Sequence, residues 1–145
     1  KQLQRLASTA ANWMFWSALA VALGLLITSE FVLGLFGPSF IHAELPMLIL
    51  VAGQVANAGA GSVGALLTMT GHQNETAVVY GSCALLNIAL NAVGISLFGI
   101  EGAAVATAVS TVLWNAGLYF LVVERLDVYP SFLDALRTLR RRHAK

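Results

Sequence analysis

The chain has 145 residues, of which 58% are hydrophobic and 10% charged, and its mean hydropathy is +0.78. Ordinary soluble domains carry about 25% charged residues, and here no Lys or Arg stands between Arg5 and Arg125. These figures exclude a soluble globular domain, a nucleic-acid binder and a disordered tail, and leave lipid as the solvent for most of the chain.

Residues 1–12 form a polar flank with Lys1 and Arg5. They do not form a charged region leading into a short apolar core and cleavage site, so they are not a signal peptide. The opening KQLQRLASTAANW has no initiator Met, and we expect a C-terminal piece of a longer protein. A membrane-crossing helix needs about 20 mostly apolar residues. Four stretches qualify: 13–36, 45–69, 77–98 and 102–123. Gly37-Pro38-Ser39 ends the first, because Pro cannot continue a helix and Gly allows positive φ. Gly71 to Glu75 separates the second from the third, and Gly99 to Gly102 the third from the fourth. Separators this short force neighbouring helices to run antiparallel. Runs such as LALNAVGISLF lack the period-2 pattern of a membrane barrel.

Residues 124–145 form a basic tail in which Pro130 and Ser131 open a further helix, with Ser131 and Asp134 spaced as a capping box. Phe132, Leu136 and Leu139 recur on one face, and Arg137, Arg140, Arg141 and Arg142 lie largely elsewhere. That pattern predicts an amphipathic helix lying on an anionic membrane surface, as a topology anchor or as a lipid or partner site. The net charge of +1 divides into +2 over 1–12, −4 over 13–123 and +3 over 124–145. Cytoplasmic flanks collect Lys and Arg, so both termini are expected in the cytoplasm. The 71–75 loop then joins them there, and the loops at 37–44 and 99–101 face outward. Trp13, Trp16 and Tyr129 fall at the expected headgroup level. Glu30 is expected at the outer headgroups rather than at a coupling-ion site.

The fold class expected is therefore all-α and integral to the membrane: four antiparallel crossings and a C-terminal interfacial helix. Polar residues inside lipid are costly unless partnered, so each raises a question. Gln54 and Asn57 share one face of the second helix, and Asn87 and Asn91 one face of the third. Thr107, Thr111 and Asn115 recur every four residues on the fourth. Two readings stand. In one, the amides are interhelical glue, worth about 0.6–2 kcal/mol each. In the other, Gln54, Asn57, Asn87, Asn91, Thr111 and Asn115 line a hydrated pathway suited to neutral polyhydroxylated cargo, since each amide both donates and accepts. Gly61, Gly64, Gly102, Ala106 and Ser110 are expected to let helices approach closely.

No acid–base pair, nucleophile motif or metal-ligand spacing is present in the sequence, so neither an enzyme nor a cofactor or metal is expected. His42 and His72 fall in opposite loops, and the single Cys83 lies in an apolar run as a small buried thiol. Gly59-Ala60-Gly61-Ser62-Val63-Gly64 matches G-x-G-x-x-G only by letters, because it lies in an apolar helix and not at a strand-to-helix turn.

The motifs also have an order. LFGPSF at 35–40 closes one helix, and LILVAGQ at 48–54 opens the next. LTMTGH at 67–72 leads into a polar loop, NIALN at 87–91 lies in the third helix, and FGIEGAAVAT at 98–107 starts the fourth. This series, over most of residues 1–125, resembles the C-terminal part of polysaccharide-export flippases. They belong to the multidrug/oligosaccharidyl-lipid/polysaccharide superfamily. The N-I-x-L-N element followed by G-I-x-G-A-A-x-A-T is its most specific part. The resemblance implies a whole protein of 12 to 14 helices in two bundles, to which this chain gives the last four. It implies a lipid-linked saccharide as cargo, moved across the cytoplasmic membrane by alternating access. It also implies partnership with the upstream helices of the same protein. Such proteins often meet pyrophosphate with basic residues, and no span here holds one, so those bases come from the first bundle or the cargo lacks pyrophosphate. The alternatives are a multidrug or metabolite cation antiporter of the same superfamily, and a non-transporting four-helix membrane scaffold.

Overall fold

The structure is a computed structural model and describes residues 2–126. Its elements in chain order are α1 (Gln2–Gly34), a 3-10 turn (Pro38–Ala43), α2 (Glu44–Ala60), α3 (Val63–Met69) and α4 (Gln73–Leu126). No strand occurs among the described residues.

α1 begins well before Trp13, the first residue of the expected span. No Gly or Pro interrupts residues 2–12, so the helix runs outward beyond its apolar part, which is Thr9–Gly34. It ends at Gly34, two residues before the expected boundary. Gly37 takes φ 123°, and the Gly37 amide bonds back to the Gly34 carbonyl at 3.1 Å.

The second expected span is interrupted. Gly61 adopts φ 76° and ψ −161°, and α2 and α3 are bent by 42° across Gly61-Ser62. Only glycine takes this backbone region without strain. The Gly61 amide turns to the Ala58 carbonyl at 3.2 Å, and the Ser62 carbonyl starts the next helix by accepting from Leu66 at 3.0 Å. The letters G-A-G-S-V-G, expected as continuous helix, are therefore a helix break.

α4 counts 54 residues, which as a straight rod would be about 81 Å long. It is not straight. Gly99 has φ 61° and ψ −136°, close to the first central residue of a type II′ turn. The two arms, 73–98 and 100–126, return along each other. Asn87 meets Ser110, the Tyr80 and Trp114 rings stand 5.8 Å apart, Val79 faces Gly117, and Glu75 pairs with Arg125. As one number falls the other rises, which is the signature of an antiparallel hairpin. Its closest approach is Gly94 against Gly102, where a side chain on either would strike the other's carbonyl. The expected Gly99–Gly102 loop is thus a one-residue turn, and Gly102 already belongs to the packed arm.

α1 packs on α2, and α2 also packs on α4. Phe15 lies over Gly59, and the Ser29 hydroxyl donates to the Glu44 carboxylate at 2.9 Å. α2 and the C-terminal arm of α4 run in the same direction, because Gly53 faces Ala108 and Asn57 faces Asn115. The densest core lies where α3 meets that arm: Val63, Leu66 and Leu67 against Leu118 and Val122.

Elsewhere the surface is apolar, and Ile27 and Met69 are more than four-fifths exposed. Two helices, Thr9–Gly34 and α4, are long and apolar enough to cross a membrane, and the bent pair α2–α3 makes a third if it is one span. A soluble monomer does not leave so much apolar surface in water. This is a membrane-embedded helical protein.

Candidate functional site

α2 places Gln54 and Asn57 one turn apart, and the C-terminal arm of α4 places Thr111 and Asn115 one turn apart. The parallel packing of these helices brings the two pairs together. The Asn115 side-chain nitrogen donates to the Asn57 side-chain oxygen at 2.8 Å and to the Thr111 carbonyl at 2.8 Å. The Asn57 nitrogen donates onward to the Gln54 oxygen at 3.2 Å. Thr111 returns its own hydroxyl proton to the Thr107 carbonyl at 2.9 Å. The result is a relay with a direction. It starts at Asn115, which is buried, passes the half-buried Asn57 and ends at Gln54, which is exposed. Aligned amides polarise one another, so the outermost amide is a better donor than an isolated one.

A second polar joint lies between the arms of α4. The Asn87 nitrogen donates to the Ser110 hydroxyl at 3.2 Å and to the Ala106 carbonyl at 3.4 Å. Ser110 passes its proton to the Ala106 carbonyl at 2.8 Å. The Asn91 nitrogen donates within its own helix, to the Asn87 carbonyl at 2.9 Å. Ser110 and Thr111 are adjacent, so the C-terminal arm carries both joints on neighbouring faces.

The six amide and hydroxyl residues singled out from the sequence therefore divide. Gln54, Asn57, Thr111 and Asn115 come together. Asn87 is spent on the other arm, and Asn91 stays on its own helix. The five packing residues divide as well. Gly102, Ala106 and Ser110 are buried in the hairpin. Gly64 lies under the Tyr80 hydroxyl, where a methyl group would collide. Gly61 is in the helix break. Arg137, Arg140, Arg141 and Arg142, with the helix expected there, lie outside the described residues. Glu30 is exposed, and Cys83 is half-buried rather than buried. Sequence reasoning missed Gly53, whose close neighbour is Ala108. It also missed the Ser62 hydroxyl, which reaches the Met14 sulfur at 3.3 Å.

Every group in the relay is neutral. It can donate and accept hydrogen bonds but cannot move a proton by titrating. Among the described residues, no group of three or more His, Cys, Asp or Glu could hold a metal ion. Comparison with family models, with curated proteins and with solved structures gave no match.

Proposed function

We propose that this chain is the C-terminal, four-crossing part of a transporter that moves a lipid-linked saccharide across the cytoplasmic membrane by alternating access. Each arm of α4 is about 39 Å long at helical rise, enough for a bilayer core of about 30 Å. Counting each arm as one crossing, with α1 and the bent α2–α3 pair, supports a reading of four. The charge distribution supports a cytoplasmic position for both ends.

The observation that carries the transport reading is the helix break at Gly61-Ser62, one turn beyond Asn57 and the relay. The break lies about 12 Å from the Met69 end, within the hydrocarbon depth. Irregular backbone at that depth is tolerated only against protein or a water-filled cavity, and broken helices commonly build transporter sites. The relay beside it offers amide donors and acceptors to a polyol and no fixed charge. The cargo class rests on the resemblance of the NIALN and FGIEGAAVAT segments to polysaccharide-export flippases.

A non-transporting scaffold is the second reading, favoured by the donors that Asn87 and Asn115 spend on other helices. The two are separated at Gln54. In the intact protein, Gln54→Leu should leave membrane insertion unchanged and lower flux of a lipid-linked saccharide about tenfold, the worth of one hydrogen bond to cargo. Unchanged flux would favour the scaffold. Replacing Asn87 and Asn91 together with Leu should abolish flux too, but Asn87 also joins the arms, so Gln54 is the cleaner site.

A further inference from the structure

The opposite character of the molecule is found on another face of α2 and the C-terminal arm. A groove of about 510 Å³ runs between them, lined by Ile49, Gly53, Val105, Val109 and neighbouring small or aliphatic residues. A second groove, of about 410 Å³, shares Ile49, Val105 and Val109 with it and continues between the arms of α4 to Phe98 and Glu101. None of Gln54, Asn57, Thr111 and Asn115 lines either one. The two form one apolar trough. Along the C-terminal arm it extends from Glu101 to Leu113, about 18 Å at helical rise.

Two features identify the occupant. The first is shape. The joined trough is about 18 Å long and lined along that length by aliphatic and small side chains, which suits an extended hydrocarbon chain lying in it. The second is charge. Glu101 is the one charged residue lining the trough, and it stands at its end. The chain has no Lys or Arg between Arg5 and Arg125 to pair with it. Arg125 is engaged with Glu75 at 3.0 Å, in the one ion pair among the described residues. A carboxylate at the mouth of an apolar trough attracts a ligand that is cationic at one end and apolar along its length, and repels an anionic one.

We propose that the trough binds a phospholipid with an ammonium headgroup, one acyl chain lying along Val105 and Val109 and the ammonium resting on Glu101. The site is independent of what the chain transports. It needs only that the helices be in a membrane.

The test uses the intact protein, purified in mild detergent and offered equal amounts of phosphatidylethanolamine and phosphatidylglycerol, with retained lipid read by native mass spectrometry. The unaltered protein should retain phosphatidylethanolamine over phosphatidylglycerol by about fivefold, the scale of one exposed ion pair. Glu101→Gln should bring that ratio to one while lipid is still retained. Val109→Trp, which fills the shared stretch of the trough, should lower retention of both lipids. Equal retention of the two lipids by the unaltered protein would overturn the proposal, as would an unchanged preference in Glu101→Gln. A dimer that Val109→Trp dissolves would assign the trough to a second copy and overturn it equally. Glu101 is exposed and its substitution does not endanger folding, so the first two outcomes decide even if the tryptophan variant is poorly made.

Discussion

Asn115 holds two partners with one nitrogen, the Asn57 oxygen on α2 and the Thr111 carbonyl on its own helix. Replacing it with Leu keeps the volume and removes the tie between helices. Asn115→Leu should cost about 1–2 kcal/mol of stability in detergent. Asn91→Leu, which loses only a bond within its own helix, should stay within about 0.5 kcal/mol of the unaltered chain. Reversible unfolding titrations would measure both, and equal losses would remove the distinction between joint and bystander. The same pair marks how far single residues could be read from the sequence. Spacing alone put Gln54 with Asn57, and Thr111 with Asn115, on common faces. It could not say which face meets which helix, because Asn87 and Asn91 have the same i, i+4 pattern as Thr111 and Asn115. Only the packing of small residues, Gly53 on Ala108 and Gly94 on Gly102, sets the helix pairs and hence the partners.

At the scale of elements, glycine geometry decides the outcome. The turns at Gly37 and Gly71 were legible, because each glycine sits at the end of an apolar run beside polar or Pro-containing sequence. The break at Gly61 was not, since a small-residue stretch inside an apolar window is compatible with a close-packed continuous helix and with an interruption alike. The turn at Gly99 was legible in place but not in form. With φ 61° and ψ −136°, it stands where a Cβ costs on the order of 1–3 kcal/mol. In a Cys83→Ser background, cysteines replacing Val79 and Gly117 should cross-link, because a Cβ at 117 lies 3.2 Å from the Val79 side chain. Adding Gly99→Ala should lower the cross-linking yield or the stability of the hairpin by that amount. Failure of the 79–117 pair to cross-link in the parent would mean that the arms do not return along each other.

For the whole molecule, lipid as solvent follows from composition, whereas the proposed number and sense of the crossings rest on the Gly99 turn and the charge distribution together. Single cysteines in the same background at Gly37 and Ile100 should react with an impermeant thiol reagent from outside intact cells, and one at His72 only after the cells are opened. Labelling of positions 72 and 100 from one side would leave α4 outside the bilayer for one of its arms. The transport reading adds that water reaches the relay from one side of the membrane while the trough on the other face stays with lipid. Cysteine at position 54 compared with cysteine at position 109 tests this most directly, each in the Cys83→Ser background and each challenged with a charged thiol reagent in the membrane-embedded protein. The account predicts that the cysteine at 54 is modified readily and the one at 109 is not. A cysteine at 54 as unreactive as the one at 109 would contradict it, for the relay would then be a dry joint between helices and not the wall of a pathway.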